Sequence, residues 1–459
     1  MNDEMQILRD AVVPLNGAPS DFDAVLEKAK NASVVLLGEA SHGTHEFYRV
    51  RGEITKRLIL EQGFCAVAVE ADWPDAYRIN QYVRGLGQDG DAVDALSGFR
   101  RFPQWMWRNT DALDFIGWLR SHNESVADHE RKGTSHRDLP VGFYGLDLYS
   151  LNASMAAVID YLQHKDPKTA KQVIEQYSCF EHFGGDTHRY GLLTGSGVKE
   201  SCEEDVLSAL LTLHERRASY LSNDGVISAD EFFNAEQNAR LIREAEKYYR
   251  TMFQGDVSSW NLRDRHMMTT LLMLMQHLKH TYSPSEEQNT WDPKIIVWAH
   301  NSHLGNAAAT SMGEHGEFNL GQLVREYFGA SSLLVGFTTH HGSVTASSDW
   351  DGPAERKRVR PALKESYESL FHEIGEPRFW IDCHATPEVQ AILQNPRLER
   401  AIGVIYRPET ERRSHYFSSC LPDQFDGVFH YDETRAVEPL ERTMEWTAGE
   451  IDETYPSGL

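Results

Sequence analysis

Ser33-Val-Val-Leu-Leu37 runs straight into Gly38-Glu39-Ala40-Ser41-His42-Gly43-Thr44-His45-Glu46, and the next apolar run, Ala66-Val-Ala-Val69, opens only after Gly63. That interval decides the fold. Between Glu46 and Gln62 the apolar residues Phe47, Val50, Ile54, Leu58 and Leu60 mark a helix, and Gly63 is a suitable C-terminal stop. Strand, helix, strand of this length is a βαβ unit and places the chain in the α/β class.

Working outward, similar β-branched runs recur at Val141-Gly-Phe-Tyr144, Lys294-Ile-Ile-Val-Trp298, Ser332-Leu-Leu-Val-Gly-Phe337, Arg378-Phe-Trp-Ile381, Ala401-Ile-Gly-Val-Ile405 and Gly427-Val-Phe-His430. Continuous rather than alternating hydrophobicity suits strands covered on both faces, as in a parallel sheet between helices. A second helix is expected from Asp75 to Arg84, after Pro74. Residues 154–280 carry almost no strand signal. Their amphipathic periodicity (Val206, Leu210, Leu213; Leu271, Leu274, Leu278) predicts a helical insertion within one continuous body spanning 1–459. Glu124 to Asp138 and His280 to Asp292 read as exposed loops.

Composition narrows the function. With 459 residues, 41% of them hydrophobic, the chain can bury a large core without staples. A formal charge of -24 argues against nucleic acid and against an anionic membrane surface as partners. The five cysteines, at 65, 179, 202, 383 and 420, lack CxxC pairing, so neither a disulfide framework nor a thiolate zinc site is expected. The N-terminus lacks a signal-peptide pattern and no apolar stretch approaches the ~18 residues of a membrane span, which reads as a soluble cytoplasmic protein.

Ligands of α/β sheets bind beyond the carboxyl ends of the strands. Four strands here are each followed by an acid or an imidazole: Glu39 and His42 after the first, Glu70 and Asp72 after the second, Asp147 after the third, His300 and His303 after the fourth. A carboxylate closing a buried strand needs a partner, and Arg51 or Arg49 is a candidate cation. His42, among small residues on a tight connection, has little to pack against and is the best candidate base. His300 and His303 share a face if a helical turn begins there. Two histidines with Glu39 or Glu70 also suit zinc, although neither HxxHE nor HNSH is a zincin pattern. Phe102-Pro103-Gln104-Trp105-Met106-Trp107 follows the second βα unit, and Trp105 and Trp107 are candidate pocket walls.

At these same residues the sequence resembles the erythromycin esterase family. The matching motifs are Leu37-Gly38-Glu39-Ala40-Ser41-His42-Gly43, Glu70-Ala71-Asp72-Trp73, the 102–107 segment, Tyr144-Gly145-Leu146-Asp147, Asn261-Leu262-Arg263-Asp264, Trp298-Ala299-His300-Asn301-Ser302-His303 and, near the C-terminus, Arg412-Arg413-Ser414-His415-Tyr416-Phe417 with Gln424-Phe425-Asp426. The resemblance implies a three-layer α/β/α core with a small four-stranded parallel sheet and long helical insertions. It also implies hydrolysis of a small-molecule ester, the macrolactone of erythromycin-type antibiotics among them, without an obligatory metal or other cofactor. It places the essential histidine at His42, supporting acids at Glu39 and Glu70, the arginine at Arg51 and later histidines at His300 and His303. Asp147 and Arg263, with Trp105 and Trp107, are the expected substrate contacts.

The expected mechanism is water activated by His42, whose ordinary pKa near ~6.5 suits a base at neutral pH. Glu39 or Glu70 would fix its tautomer, and Arg51, His300 or His303 would stabilise the oxyanion. Three alternatives stand beside it: a serine nucleophile at Ser41 or Ser302, without the GxSxG pattern; a metal-dependent hydrolase in the same cleft; and a non-catalytic protein holding haem or a sugar.

Overall fold

The computed structural model describes residues 3–131, 139–183, 186–221, 225–253, 255–282 and 291–449. Its strands in chain order are β1 (Val13–Pro14), β2 (Val34–Leu37), β3 (Ala66–Asp72), β4 (Gly142–Asp147), β5 (Ile295–Trp298), β6 (Ser332–Ala346), β7 (Glu355–Val359), β8 (Arg378–Asp382), β9 (Arg397–Arg400), β10 (Tyr416–Ser419) and β11 (Gly427–Thr434). The chain gathers into two compact units, one of residues 1–67, 81–141 and 294–459, the other of 68–80 and 142–293.

In the first unit the strand order is β1-β8-β11-β6-β2-β5, with β7 paired to β6. β2 is parallel to both neighbours, Val34 to Leu37 facing Ile295 to Trp298 on one side and Ser332 to Val335 on the other. β11 is parallel to β6, whereas β8, β1 and β7 add antiparallel edges. The parallel part is thus β5-β2-β6-β11, and the antiparallel strands enlarge the sheet beyond the four strands the resemblance implies. β9 and β10 form a separate antiparallel pair.

All four residues of β2 are buried, as its unbroken apolar run requires of a strand covered on both faces. On one face the His45–Gln62 helix sets Phe47 against Phe337, which stacks on Phe429, at centroid distances of 5.5 and 5.3 Å. On the other, the Tyr367–Ile374 helix sets Phe371 against His430 and Phe379, at 5.4 and 5.6 Å. Helix, sheet and helix make the expected three layers. Each such buried aromatic contributes about 1.5–3 kcal/mol of transfer free energy. The first helix ends at Gly63 with φ +71°, a left-handed stop that glycine adopts freely.

The second unit takes β4 and six helices of nine residues or more, from Leu151–Lys165 to Asp256–Tyr282; among the described residues no strand lies between β4 and β5. Trp73 anchors this unit: its ring stacks on Tyr144, meets Phe233 edge-on, and its Nε1 donates to Asn234 Oδ1 at 2.9 Å. No helix among the described residues is long and apolar enough to cross a membrane.

Four sequence expectations change. The Thr110–Arg131 helix runs through the first part of the segment read as a loop from Glu124; Glu124 and Ser125 are exposed on it, with Arg120 Nε donating to Glu124 Oε1 at 2.7 Å. Residues 132–138 of that expected loop lie outside the described residues, as do 283–290 of the later one, whose start is helical to Tyr282. Residues 401–405 form isolated bridges, Ser41 with Ile402 and Ser347 with Ile405, instead of a strand. Of the five, Ile402 is buried beside the loop after β2, its backbone bonded to Ala40 and His42. Finally, Cys179 and Cys202 are joined in a disulfide with Cα atoms 5.9 Å apart. Helix packing brings together cysteines whose sequence spacing carries no signal. Cys65 and Cys383 are buried and free, and Cys420 is free and half-buried.

Candidate active site

The loop after β2 is held by backbone contacts that only glycine permits. A Cβ on Gly38 would come within 2.2 Å of Asn301 Oδ1, and one on Gly43 within 1.8 Å of the Thr345 carbonyl. Gly43 O accepts from Thr345 N at 3.0 Å and Val437 N at 2.8 Å, and His42 N donates to Ile402 O at 3.4 Å. The loop is therefore fixed by its neighbours, and with it the direction of its side chains.

Glu39 is buried and bridges two groups. Its Oε1 accepts from His42 Nδ1 at 2.9 Å and its Oε2 from Arg51 Nη2 at 2.5 Å. Arg51, buried in the His45–Gln62 helix, lies over the rings of Tyr48 and Trp298 at 4.6 and 5.1 Å. A carboxylate with a full arginine charge on one oxygen has its desolvation offset, and the other oxygen is left to orient an imidazole. A carboxylate only accepts, so His42 presents Nδ1–H to it, and the neutral imidazole then carries its lone pair on Nε2.

The β5 end brings a second imidazole. His300 caps the short Asn301–Leu304 turn: Ser302 N donates to His300 Nδ1 at 3.2 Å, and Ser302 Oγ lies 2.8 Å from the same atom. A backbone N–H can only donate, so neutral His300 carries its proton on Nε2, the reverse of His42. The two rings stand 4.9 Å apart between centroids. Asn301 N donates to the Glu39 carbonyl at 2.8 Å, which locks the two strand-end loops to each other. His303 lies buried on the same turn. Ser41 Oγ is hydrogen-bonded to Thr44 Oγ1 and belongs to the loop's own framework. His45 is held by Asp111 and Arg435.

Glu70, Asp147 and Arg263 form their own cluster in the second unit. Arg263 binds Asp147 with two nitrogens, Nε at 3.0 Å and Nη2 at 2.7 Å, and reaches Glu70 Oε1 at 2.6 Å. Its guanidinium lies 5.0 Å over the Tyr149 ring. Burial works against this charge, and Asp147, Tyr149 and Glu70 outweigh it, raising the arginine well above its ordinary pKa. Glu70 and Asp147 are the fifth residue of β3 and the last of β4, so both strands extend further than their apolar runs suggest.

The two tryptophans separate. Trp107 packs edge-on against Tyr48, at 6.4 Å, and so stands behind the ring that supports Arg51. Trp105 lines a cavity of about 360 Å³ with Phe102, Gln104, Pro353 and Pro439; His42, Glu39 and His300 are not among the residues lining it.

Sequence reasoning missed one participant. Glu399 on β9 is fully buried, and its Oε1 and Oε2 accept from Asn301 Nδ2 at 3.3 Å and Ser419 Oγ at 3.0 Å. Burial, reinforced by nearby Glu368, pushes its carboxyl up to about 8, so it holds a proton at neutral pH. The only available signal was Asn301 itself, whose amide also binds Phe337 O at 2.8 Å.

The fold and this cluster define a class: an α/β protein whose acid–base groups stand at the carboxyl ends of parallel strands. Within that class, the model for erythromycin esterase matches residues 59–434, and the chain belongs to the erythromycin esterase family. It is 20% identical to erythromycin esterase type II of Escherichia coli, over 91% of this chain and 93% of that protein. It is 21% identical to the putative hydrolase YbfO of Bacillus subtilis, over 90% and 86%. Among solved structures, a mutant of the erythromycin esterase EreC in its open conformation superimposes with a TM-score of 0.61 at 16% identity, over 92% of this chain and 95% of that one.

Proposed function

We propose that this chain hydrolyses a carboxylic ester of a small molecule, with water activated by His42. One observation carries the reading: two neighbouring imidazoles are held at Nδ1 by opposite kinds of partner, His42 by the Glu39 carboxylate and His300 by the Ser302 N–H, which assigns His42 Nε2 as the acceptor and His300 Nε2–H as the donor in the neutral rings. Hydrolysis needs both at once. His42 Nε2 takes a proton as the water oxygen attacks the carbonyl carbon, and His300 Nε2–H donates to the oxyanion that forms. When the tetrahedral intermediate collapses, His42 returns the proton to the departing alkoxide, and the products are a carboxylic acid and an alcohol. Glu39 holds the tautomer of His42 and stabilises the imidazolium, while Arg51 holds Glu39 in place. Arg51 is read as a positioning residue because its guanidinium is engaged by Glu39 and sandwiched by two rings.

The substrate class proposed is a macrolactone of the erythromycin type. Family membership supports it, together with a relative named as an erythromycin esterase that aligns over nine-tenths of both chains. The test is a panel of macrolides and simple aryl esters incubated with the purified chain and followed by mass spectrometry. A gain of one water on a macrolide supports the full reading; hydrolysis of aryl esters alone keeps the esterase and removes the macrolide; no hydrolysis of any member overturns both.

A further inference from the structure

We propose that His340, His341 and Asp432 form a binding site for a divalent transition ion of the zinc class, one that ties β6 to β11. The three residues each bring a ligand atom, all within 4.8 Å of one another. His340 and His341 are consecutive on β6, where the pleat sends neighbouring side chains to opposite faces. Here their Nδ1 atoms approach to 3.0 Å. Two nitrogens at that separation are close to the roughly 3.3 Å edge of a tetrahedral zinc site with bonds of ~2.0–2.1 Å. Asp432 arrives from the adjacent parallel strand, between Tyr431 and Glu433, which pair with Thr339 and His341.

The surroundings suit an ion rather than a bare hydrogen-bonded pair. His372 Nδ1 lies 2.6 Å from Asp432 Oδ1, and its ring stacks on His340 at 3.9 Å and 6°. His430 Nε2 stands 3.6 Å from the same oxygen, and its Nδ1 meets Thr338 Oγ1 at 2.9 Å. Outer imidazoles that steady a carboxylate through one oxygen are the kind of support by which protein sites fix their ligands. Two imidazoles and one carboxylate are a borderline donor set that favours zinc over magnesium or calcium. His341 and Asp432 are half-exposed, which leaves an approach for the ion and for a water as fourth ligand. The cluster lies on the sheet face covered by the Tyr367–Ile374 helix, whereas the helix carrying Arg51 covers the other. Its three ligand residues are distinct from the His42–His300 pair.

The experiment is zinc titration of the full chain, produced without a histidine tag, by equilibrium dialysis and by thermal melting, with magnesium as the control ion. The expected result is one zinc per chain and a melting point raised by zinc and not by magnesium. His341→Ala and Asp432→Asn should each weaken binding by at least ~10-fold and abolish the thermal shift, and His372→Ala should weaken it ~10–100-fold. His303→Ala should bind zinc as the parent chain does. Should His341→Ala fail to fold, Asp432→Asn and His372→Ala still decide the matter. Unchanged zinc affinity in these variants, no zinc binding by the parent chain, or loss of binding in His303→Ala would each overturn the site.

Discussion

Glu39 and Glu70 occupy matching places in the two units, each a buried carboxylate at or near the carboxyl end of a buried strand and each bound by an arginine from a helix. They differ in what shares that arginine. Arg51 serves Glu39, whose remaining oxygen orients His42. Arg263 is shared between two carboxylates and binds Asp147 bidentately, so the arrangement holds two acids on one cation. The same device thus sets an imidazole beside one acid and a second acid beside the other. An imidazole, not the buried ion pair, makes the difference.

The largest expected effect breaks the first half of that comparison. His42→Ala removes the base and should lower kcat by ~10²–10⁴-fold, at most about 5 kcal/mol of barrier, with a near-native melting curve. Ester turnover by His42→Ala within threefold of the parent would sink the water mechanism. Ser41→Ala, whose hydroxyl braces Thr44, should keep most of the activity, and its inactivation would point to a serine nucleophile.

The second cluster should fail in a different currency. Arg263→Met leaves Glu70 and Asp147 without their shared cation and should destabilise the chain by about 3–5 kcal/mol, read in urea melts. A melt shifted by less than ~1 kcal/mol would mean that this cluster is no clamp. His300→Ala comes next: losing the Nε2–H donor should lower kcat by ~10²–10³-fold, about 2.7–4 kcal/mol, with KM little changed. An effect on KM alone would assign His300 to substrate binding.

Much of this is legible in the sequence. Local rules write the βαβ unit around His42 directly: a continuous apolar run, helical spacing from Phe47 to Leu58, and a glycine at 63. Strand-end chemistry points to Glu39, His42, Glu70 and His300 because every such residue is adjacent in sequence to the strand that presents it. What stays hidden depends on contacts between distant segments. Nothing near Glu399 announces that β9 and Asn301 meet, 98 residues apart. In residues 401–405 the apolar run bridges Ser41 of the 38–44 loop through Ile402 and Ser347 through Ile405, which a periodicity argument cannot tell from a strand. The β6–β11 register that joins His340 to Asp432, and the helix packing that joins Cys179 to Cys202, are likewise invisible to spacing.

Glu399 sharpens the comparison with a third answer to the same problem. Beside Asn301 it has amide and hydroxyl donors, and burial with Glu368 nearby leads it to hold a proton instead of a charge, with its pKa pushed up to about 8. In the unfolded chain the same carboxyl titrates near ~4.3. Between those two values the folded state binds the proton and the unfolded state does not, so this group makes stability fall as pH rises from about 4 to about 8. The slope from one proton is at most ~1.4 kcal/mol per pH unit. Glu399→Gln keeps the neutral hydrogen-bonding shape and has nothing to titrate. Urea melts at several pH values between about 5 and about 8 should therefore show a flatter dependence in the variant than in the parent chain. The variant should gain most, relative to the parent, at the upper end of that range. Parallel curves would mean that Glu399 is ionised in the folded protein. A buried carboxylate with no cation on it would then stand one residue's reach from His300, and the division between charge-paired and proton-holding acids would fail at the site itself.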